Sequence, residues 1–135
     1  MPDNFQHHAL NLKENKNLVY TAMSKHFFYF RMFISKFVLE KGKVPLNPFM
    51  VFDYFLLDSI PRELVIEGNN NLVKRADELW VFGQISNGVL AEILIAKEMG
   101  KPIKYFKIEK PHKIIEIEKE QAEFEDEVKQ FTNLL

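Results

Sequence analysis

The sequence has 135 residues, a net charge of −1 and no cysteine. That length suits one domain with a real core, and 47% hydrophobic residues with thirteen Phe exclude disorder over most of the chain. The near-neutral charge argues against a nucleic-acid binder that works by neutralising phosphates, and the missing cysteines exclude disulfides and thiolate chemistry.

No stretch approaches the ~18 uninterrupted apolar residues of a membrane span, and the N-terminus lacks a signal-peptide core. The expectation is a cytoplasmic protein with no membrane contact. Residues 1–16 are polar and aperiodic and read as a flexible arm. His7-His8 within it reads as incidental, since closed metal sites need three or four ligands, so no metal and no cofactor is expected.

Leu18-Val19-Tyr20-Thr21-Ala22-Met23 reads as the first strand, with Ser24 capping a helix over 25–41. That helix is apolar on nearly every side, whereas a helix packed on one face of a sheet should show a polar outer face. The surplus apolar surface calls for cover, either from a second subunit in a homodimer or from the chain's own C-terminal helix. Pro45 and Pro48 confine a second strand to a few residues. Residues 49–57 read as an aromatic-rich helix, and Pro61 opens another over 62–75. Asn69-Asn70-Asn71 in that helix are poor helix formers, and the run reads equally well as an exposed turn or as a polar edge facing a ligand.

Leu79 to Phe82 is an unbroken apolar run, as in a strand covered on both faces. Ser86, Asn87 and Gly88 are turn and N-cap residues of a helix that runs to Gly100, just before Pro102. Glu92 is the odd residue in it. At about 100° per residue and with Glu92 at 0°, Ala96 falls near 40°, Val89 near 60°, Ile93 near 100°, Ile95 near 300° and Met99 near 340°. Glu92 is thereby expected close to the centre of the apolar stripe, where a carboxylate loses water and needs a partner or a pocket. An acid in the first turns of a helix also favours the macrodipole, but that does not account for an inward position.

A strand over 102–108, an edge strand over 113–117 and a charged helix over 118–135 complete the chain. With Ile117 just before it, the last carries a narrow stripe of Phe124, Val128, Phe131 and Leu135, suited to docking on a groove or partner helix and more readily to core packing than to recruiting a foreign partner. This order predicts an α/β fold: a small flavodoxin/Rossmann-like parallel sheet of four to five strands flanked by helices, with an extra C-terminal helix. The domain spans 17–110, and 111–135 is an extension packing on the domain or on a dimer partner. In such sheets ligands bind beyond the carboxyl ends of the strands, so the loops at Met23-Ser24 and at 83–86 should converge. The amides of Asn87 and Gly88 there offer a place for an anion.

The first strand, the Ala76-Asp77 before the apolar strand, and Ser86-x-Gly88-x-x-x-Glu92 followed by Ala96 and Gly100-Lys101-Pro102 carry a resemblance. Over roughly residues 18–108 the chain resembles the nucleoside 2-deoxyribosyltransferase-like superfamily, which includes the deoxynucleoside 5′-monophosphate N-glycosidases. The resemblance implies that Glu92 is a nucleophile that attacks the anomeric carbon and forms a glycosyl ester, resolved by water or a second base. By the same resemblance Tyr20 orients the glutamate or lines the sugar pocket, and Ser86 contacts a 5′-phosphate. It further implies a small nucleoside or nucleotide as ligand, no cofactor, and a homodimer or higher homo-oligomer.

Two departures stand out. The aspartate that serves the leaving base in that superfamily corresponds, eight residues before Asp77, to Asn69, or to Asn70 with a one-residue slip. An amide hydrogen-bonds but is no general acid. The glycine-rich phosphate loop is replaced by Ser24-Lys25-His26-Phe27, where Lys25 offers a point charge. The expected catalytic set is Glu92, Tyr20 and Asn69, and the expected substrate-binding set is Ser24, Lys25, Ser86, Asn87 and Gly88. Asp77 begins its strand at the far end and reads as structural. Two other readings stay open: a non-catalytic nucleotide-binding or sensing module, and an interaction protein whose aromatic helices build an oligomer.

Overall fold

Apolar strands alternate with helices to build a five-stranded sheet in the order β2-β1-β3-β4-β5. The strands are β1 (Leu18–Met23), β2 (Val44–Leu46), β3 (Glu78–Phe82), β4 (Ile103–Lys110) and β5 (Lys113–Ile117). The first four run parallel and β5 returns antiparallel to β4, so the sheet is mixed but mostly parallel. The helices are α1 (Arg31–Glu40), α2 (Pro48–Val51), α3 (Tyr54–Leu57), α4 (Arg62–Arg75) and α5 (Asn87–Glu98). This computed structural model describes residues 4–135, apart from the side chains of Tyr54 and Phe55. The fold is the expected α/β class with helices on both faces, consistent with a Rossmann- or flavodoxin-like arrangement.

Alternation along the strands divides the core into two layers. Val19, Met23, Trp80, Phe82 and Phe106 pack with Ile34 and Val38 of α1 on one face. Tyr20, Ala22, Leu79, Val81 and Tyr105 pack with Val73 of α4 and with Val89, Ile93 and Ala96 of α5 on the other. The α1 layer is aromatic. Phe82 stacks on Phe106 at 4.9 Å between centroids and Trp80 sits 5.0 Å from the same ring, contacts worth about 0.5–1.5 kcal/mol each beyond area burial.

The chain leaves β1 toward β2 on one side and crosses to β3 on the other, so the order switches between β1 and β3. Their carboxyl ends open the crevice that such a switch creates. At the opposite end Asp77 is structural: its carboxylate accepts from the Leu18 amide at 2.7 Å, and its own amide donates to the Leu18 carbonyl at 2.8 Å.

Three expected helices are built differently. The stretch after Ser24 is a 3-10 helix, Lys25–Phe30, before α1 begins. Three residues per turn stack Phe27 over Phe30, 6.1 Å apart, and lay Phe27 on Gly83. Gly83 has φ +78°, and any side chain there would run into the Phe27 ring. The aromatic helix expected over 49–57 is two short helices, because Phe52 is extended. Finally, the continuous helix expected over 118–135 is replaced by two 3-10 helices, Lys119–Gln121 and Asp126–Leu134. The chain between them is extended because the backbone of Ile85 pairs with Glu123 and Glu125, both at 2.9 Å.

That C-terminal extension packs on the α5 layer through Phe124 and Val128, and Lys97 donates to the carbonyls of Leu134 and Leu135. It does not fold over α1, as one expectation had it. Tyr29, Met32 and Leu39 therefore stay largely exposed on the outer side of the aromatic layer. Of the arm expected over 1–16, residues 1–3 lie outside the described residues, and a 3-10 turn at His8–Asn11 capped by His7 occupies the middle. No helix among the described residues is long and apolar enough to cross a membrane.

Candidate functional site

A cleft of about 550 Å³ opens at the carboxyl ends of β1 and β3. Its walls are the turn after β1, the first turns of α5, one side of α4 and the C-terminal extension. Seven of the eight expected site residues line it: Ser24, Lys25, Asn69, Ser86, Asn87, Gly88 and Glu92. The eighth, Tyr20, is fully buried beneath, and its hydroxyl donates a hydrogen bond to Glu92 Oε2.

Glu92 does not lie close to the centre of the apolar stripe, as the 100° period leads one to expect. The buried residues of α5 are Val89, Leu90, Ile93 and Ala96, a stripe centred about 90° from Glu92 on the same angular count. Ile95 is only half-buried and Met99 is exposed. Glu92 is on the flank, which is what lets one side chain reach both the Tyr20 hydroxyl and the cleft. Burial pushes the Glu92 carboxyl from the ordinary 4.5 up to about 7, against the opposing pull of the Tyr20 hydrogen bond. Tyr20 is raised well above the usual phenol range, by burial first and then by the neighbouring carboxylate. At neutral pH the pair is a phenol donating to a carboxyl poised between its two forms.

Ser86 is the N-cap of α5, its hydroxyl oxygen accepting from the Val89 amide at 3.3 Å. It keeps its own proton for a ligand. The amides of Asn87 and Gly88 precede the helical ladder and are oriented as helix N-terminal donors. A Cβ at Gly88 would meet nothing within 4 Å, so this turn borders open space. Ser24 caps the 3-10 helix Lys25–Phe30 by accepting from the His26 amide at 3.3 Å.

The asparagine run divides between its two readings. Asn71 faces outward, donating to the Glu67 carbonyl at 2.9 Å and accepting from Arg75 at 2.7 Å. Asn69 borders the cleft, and its Oδ1 is buried without a hydrogen-bond partner among the described residues.

Sequence reasoning missed Arg62, His26, Phe49, Glu125 and Glu127, all of which line the cleft. Arg62 carried one signal, the Pro61-Arg62 helix start, which sets a cation at the mouth of the cleft. Glu125 and Glu127 carried none, because only the pairing of the extension with Ile85 brings them there. No three His, Asp or Glu among the described residues gather as a metal site.

Residues 20–106 match the family described as Domain of unknown function (DUF7768). The chain belongs to this family. The DUF7768 segment begins at Tyr20 and includes Glu92, so both members of the buried pair fall inside it. His26, Arg62 and Asn69 fall inside it as well, whereas Glu125 and Glu127 lie beyond it. A comparison with curated proteins finds no match.

Proposed function

We propose that the chain is a nucleoside or nucleotide N-glycosidase, or a 2-deoxyribosyltransferase-like enzyme, with Glu92 as nucleophile. The observation that carries this reading is the Tyr20–Glu92 pair beside a cleft of about 550 Å³ at the switch point of the sheet. A carboxylate kept only for structure would be matched with cations or several donors, whereas Glu92 accepts its hydrogen bond from a single phenol.

The chemistry follows from that pair. Ionised Glu92 attacks the anomeric carbon, an Oε–C1′ bond forms, and the electron pair of the C1′–N bond leaves with the base. Water, or a second base, then breaks the ester and frees Glu92. Tyr20 fixes Oε2, which leaves the other oxygen for attack. Ser86 with the α5 amides, and Lys25 and Arg62 across the cleft, offer donors and positive charge to a phosphate. Phe49 offers a ring face for a base.

Asn69 favours a second reading. Because an amide cannot protonate a leaving base, a nucleotide-binding or sensing module that never breaks the glycosidic bond also accommodates this cleft, with Glu92 holding a ribose hydroxyl. We also propose a homodimer through the outer face of α1 and the 3-10 helix before it, where Met32 is 59% and Tyr29 84% exposed, and a cytoplasmic location, where nucleotides are at hand.

The test is incubation with a panel of nucleosides and nucleoside monophosphates, following free base by chromatography. Release that disappears in Glu92→Ala supports the enzyme. Nucleotide-induced thermal stabilisation without any release supports the sensing module instead.

A further inference from the structure

If Glu92 is the nucleophile, the departing base still needs a proton, and Asn69 has none to give. We propose that His26, held by Glu125, supplies it.

His26 stands at the junction of two openings. It lines the cleft that holds Glu92 and also a neighbouring cleft of about 740 Å³, and Glu125 and Glu127 are shared by both walls. Its ring is oriented from one side only. Nδ1 lies 3.1 Å from Glu125 Oε2 and 3.2 Å from Ser24 Oγ, and Nε2 takes part in neither contact. A carboxylate at one ring nitrogen sets the tautomer and leaves the other nitrogen to exchange protons. Glu125 is itself fixed, because its amide donates to the Ile85 carbonyl at 2.9 Å. The extension thus sets the carboxylate that aims the ring, and the turn after β1 supplies the ring itself.

In the step, the C1′–N bond breaks as Glu92 bonds to C1′. The electron pair of the broken bond stays on the base nitrogen, which takes the Nε2 proton from the imidazolium and leaves as neutral base. The neutral imidazole then accepts a proton from the water that attacks the ester, returning His26 and Glu92 to their starting forms. Glu125 is a positioning residue in this scheme and Ser24 assists it.

The experiment compares a purine nucleoside monophosphate with its 7-methyl derivative, whose cationic base departs without a proton. It uses the full chain, His26→Gln and Glu125→Gln. His26 is 63% exposed, so its variant should melt with the native protein. The expected result for His26→Gln is a loss of about a hundredfold or more on the unmethylated substrate, with the methylated one held within about threefold. Glu125→Gln should show the same split at roughly a tenth of the size. Equal losses on both substrates, or no loss on either, overturn the role of His26 while leaving Glu92 as nucleophile. No base from either substrate with the native protein overturns the glycosidase reading and this role together.

Discussion

Glu78 and Glu92 are acids drawn out of bulk water at opposite ends of the same sheet, and their surroundings treat them differently. Glu78, 5% exposed at the start of β3, accepts from Asn17 Nδ2 at 2.9 Å and from the Trp80 indole at 3.0 Å, and pairs with Lys43 at 3.1 Å. Burial pushes its titration up, but the three partners outweigh burial and hold it below the usual carboxylate range. Glu92 has the Tyr20 phenol, and burial wins, to about 7. A structural acid is over-satisfied. An acid left short of partners beside a cleft keeps its reactivity at the expense of stability.

Four substitutions break or sharpen that contrast. The largest effect is expected from Glu92→Ala, which should lower base release on the order of 10³-fold or more, as loss of a covalent nucleophile does. Release within tenfold of native would remove Glu92 from the chemistry. Next comes Glu78→Ala, which strands the buried Trp80 N–H and the Lys43 ammonium. It should destabilise by about 2–3 kcal/mol at pH 7, read by urea titration. Because the native carboxyl titrates below its unfolded value, that contribution is present above the unfolded pKa and fades as pH falls through the folded one, so the gap from native should narrow on acidification.

Glu92→Gln should do the opposite. A carboxyl raised from 4.5 to about 7 holds a proton that the unfolded chain has released, so native stability is lost as pH climbs across that window. The variant should match native near pH 4 and exceed it by roughly 3 kcal/mol at pH 8. A difference that does not change with pH would contradict the burial account. The smallest effect belongs to Tyr20→Phe, about a tenfold loss of release. With the 7-methylated substrate, whose base needs no proton, activity should rise with pH through about 7 in the native protein as Glu92 ionises. Since Tyr20 pulls that value down, the limb should move to higher pH in the variant, and an unmoved limb would mean that the phenol does not tune the acid.

Local signals carried much of the architecture. The strand at Leu18–Met23, the helix at Arg62–Arg75 behind Pro61, the Ser86 cap and the edge strand at Lys113–Ile117 follow from apolar runs, caps and prolines within a few residues. Contacts distant in sequence decided the rest. Phe27 winds tightly because it must cover Gly83, and 123–125 stay extended because Ile85 offers an edge, neither of which a periodicity count contains. Glu92 was conspicuous as a lone acid near apolar neighbours, but its true place on the flank depends on which of those neighbours the sheet covers. Arg62, His26 and Glu125 reach the cleft from three separate elements, so only the topology assembles them.

The most direct test of Glu92 as nucleophile is mass spectrometry of the protein after reaction with a nucleotide whose 2-fluoro sugar slows hydrolysis of a glycosyl ester. The account predicts a sugar adduct that maps, after proteolysis, to the peptide bearing Glu92. Base release with that peptide unmodified, or an adduct mapped to another residue, would contradict it.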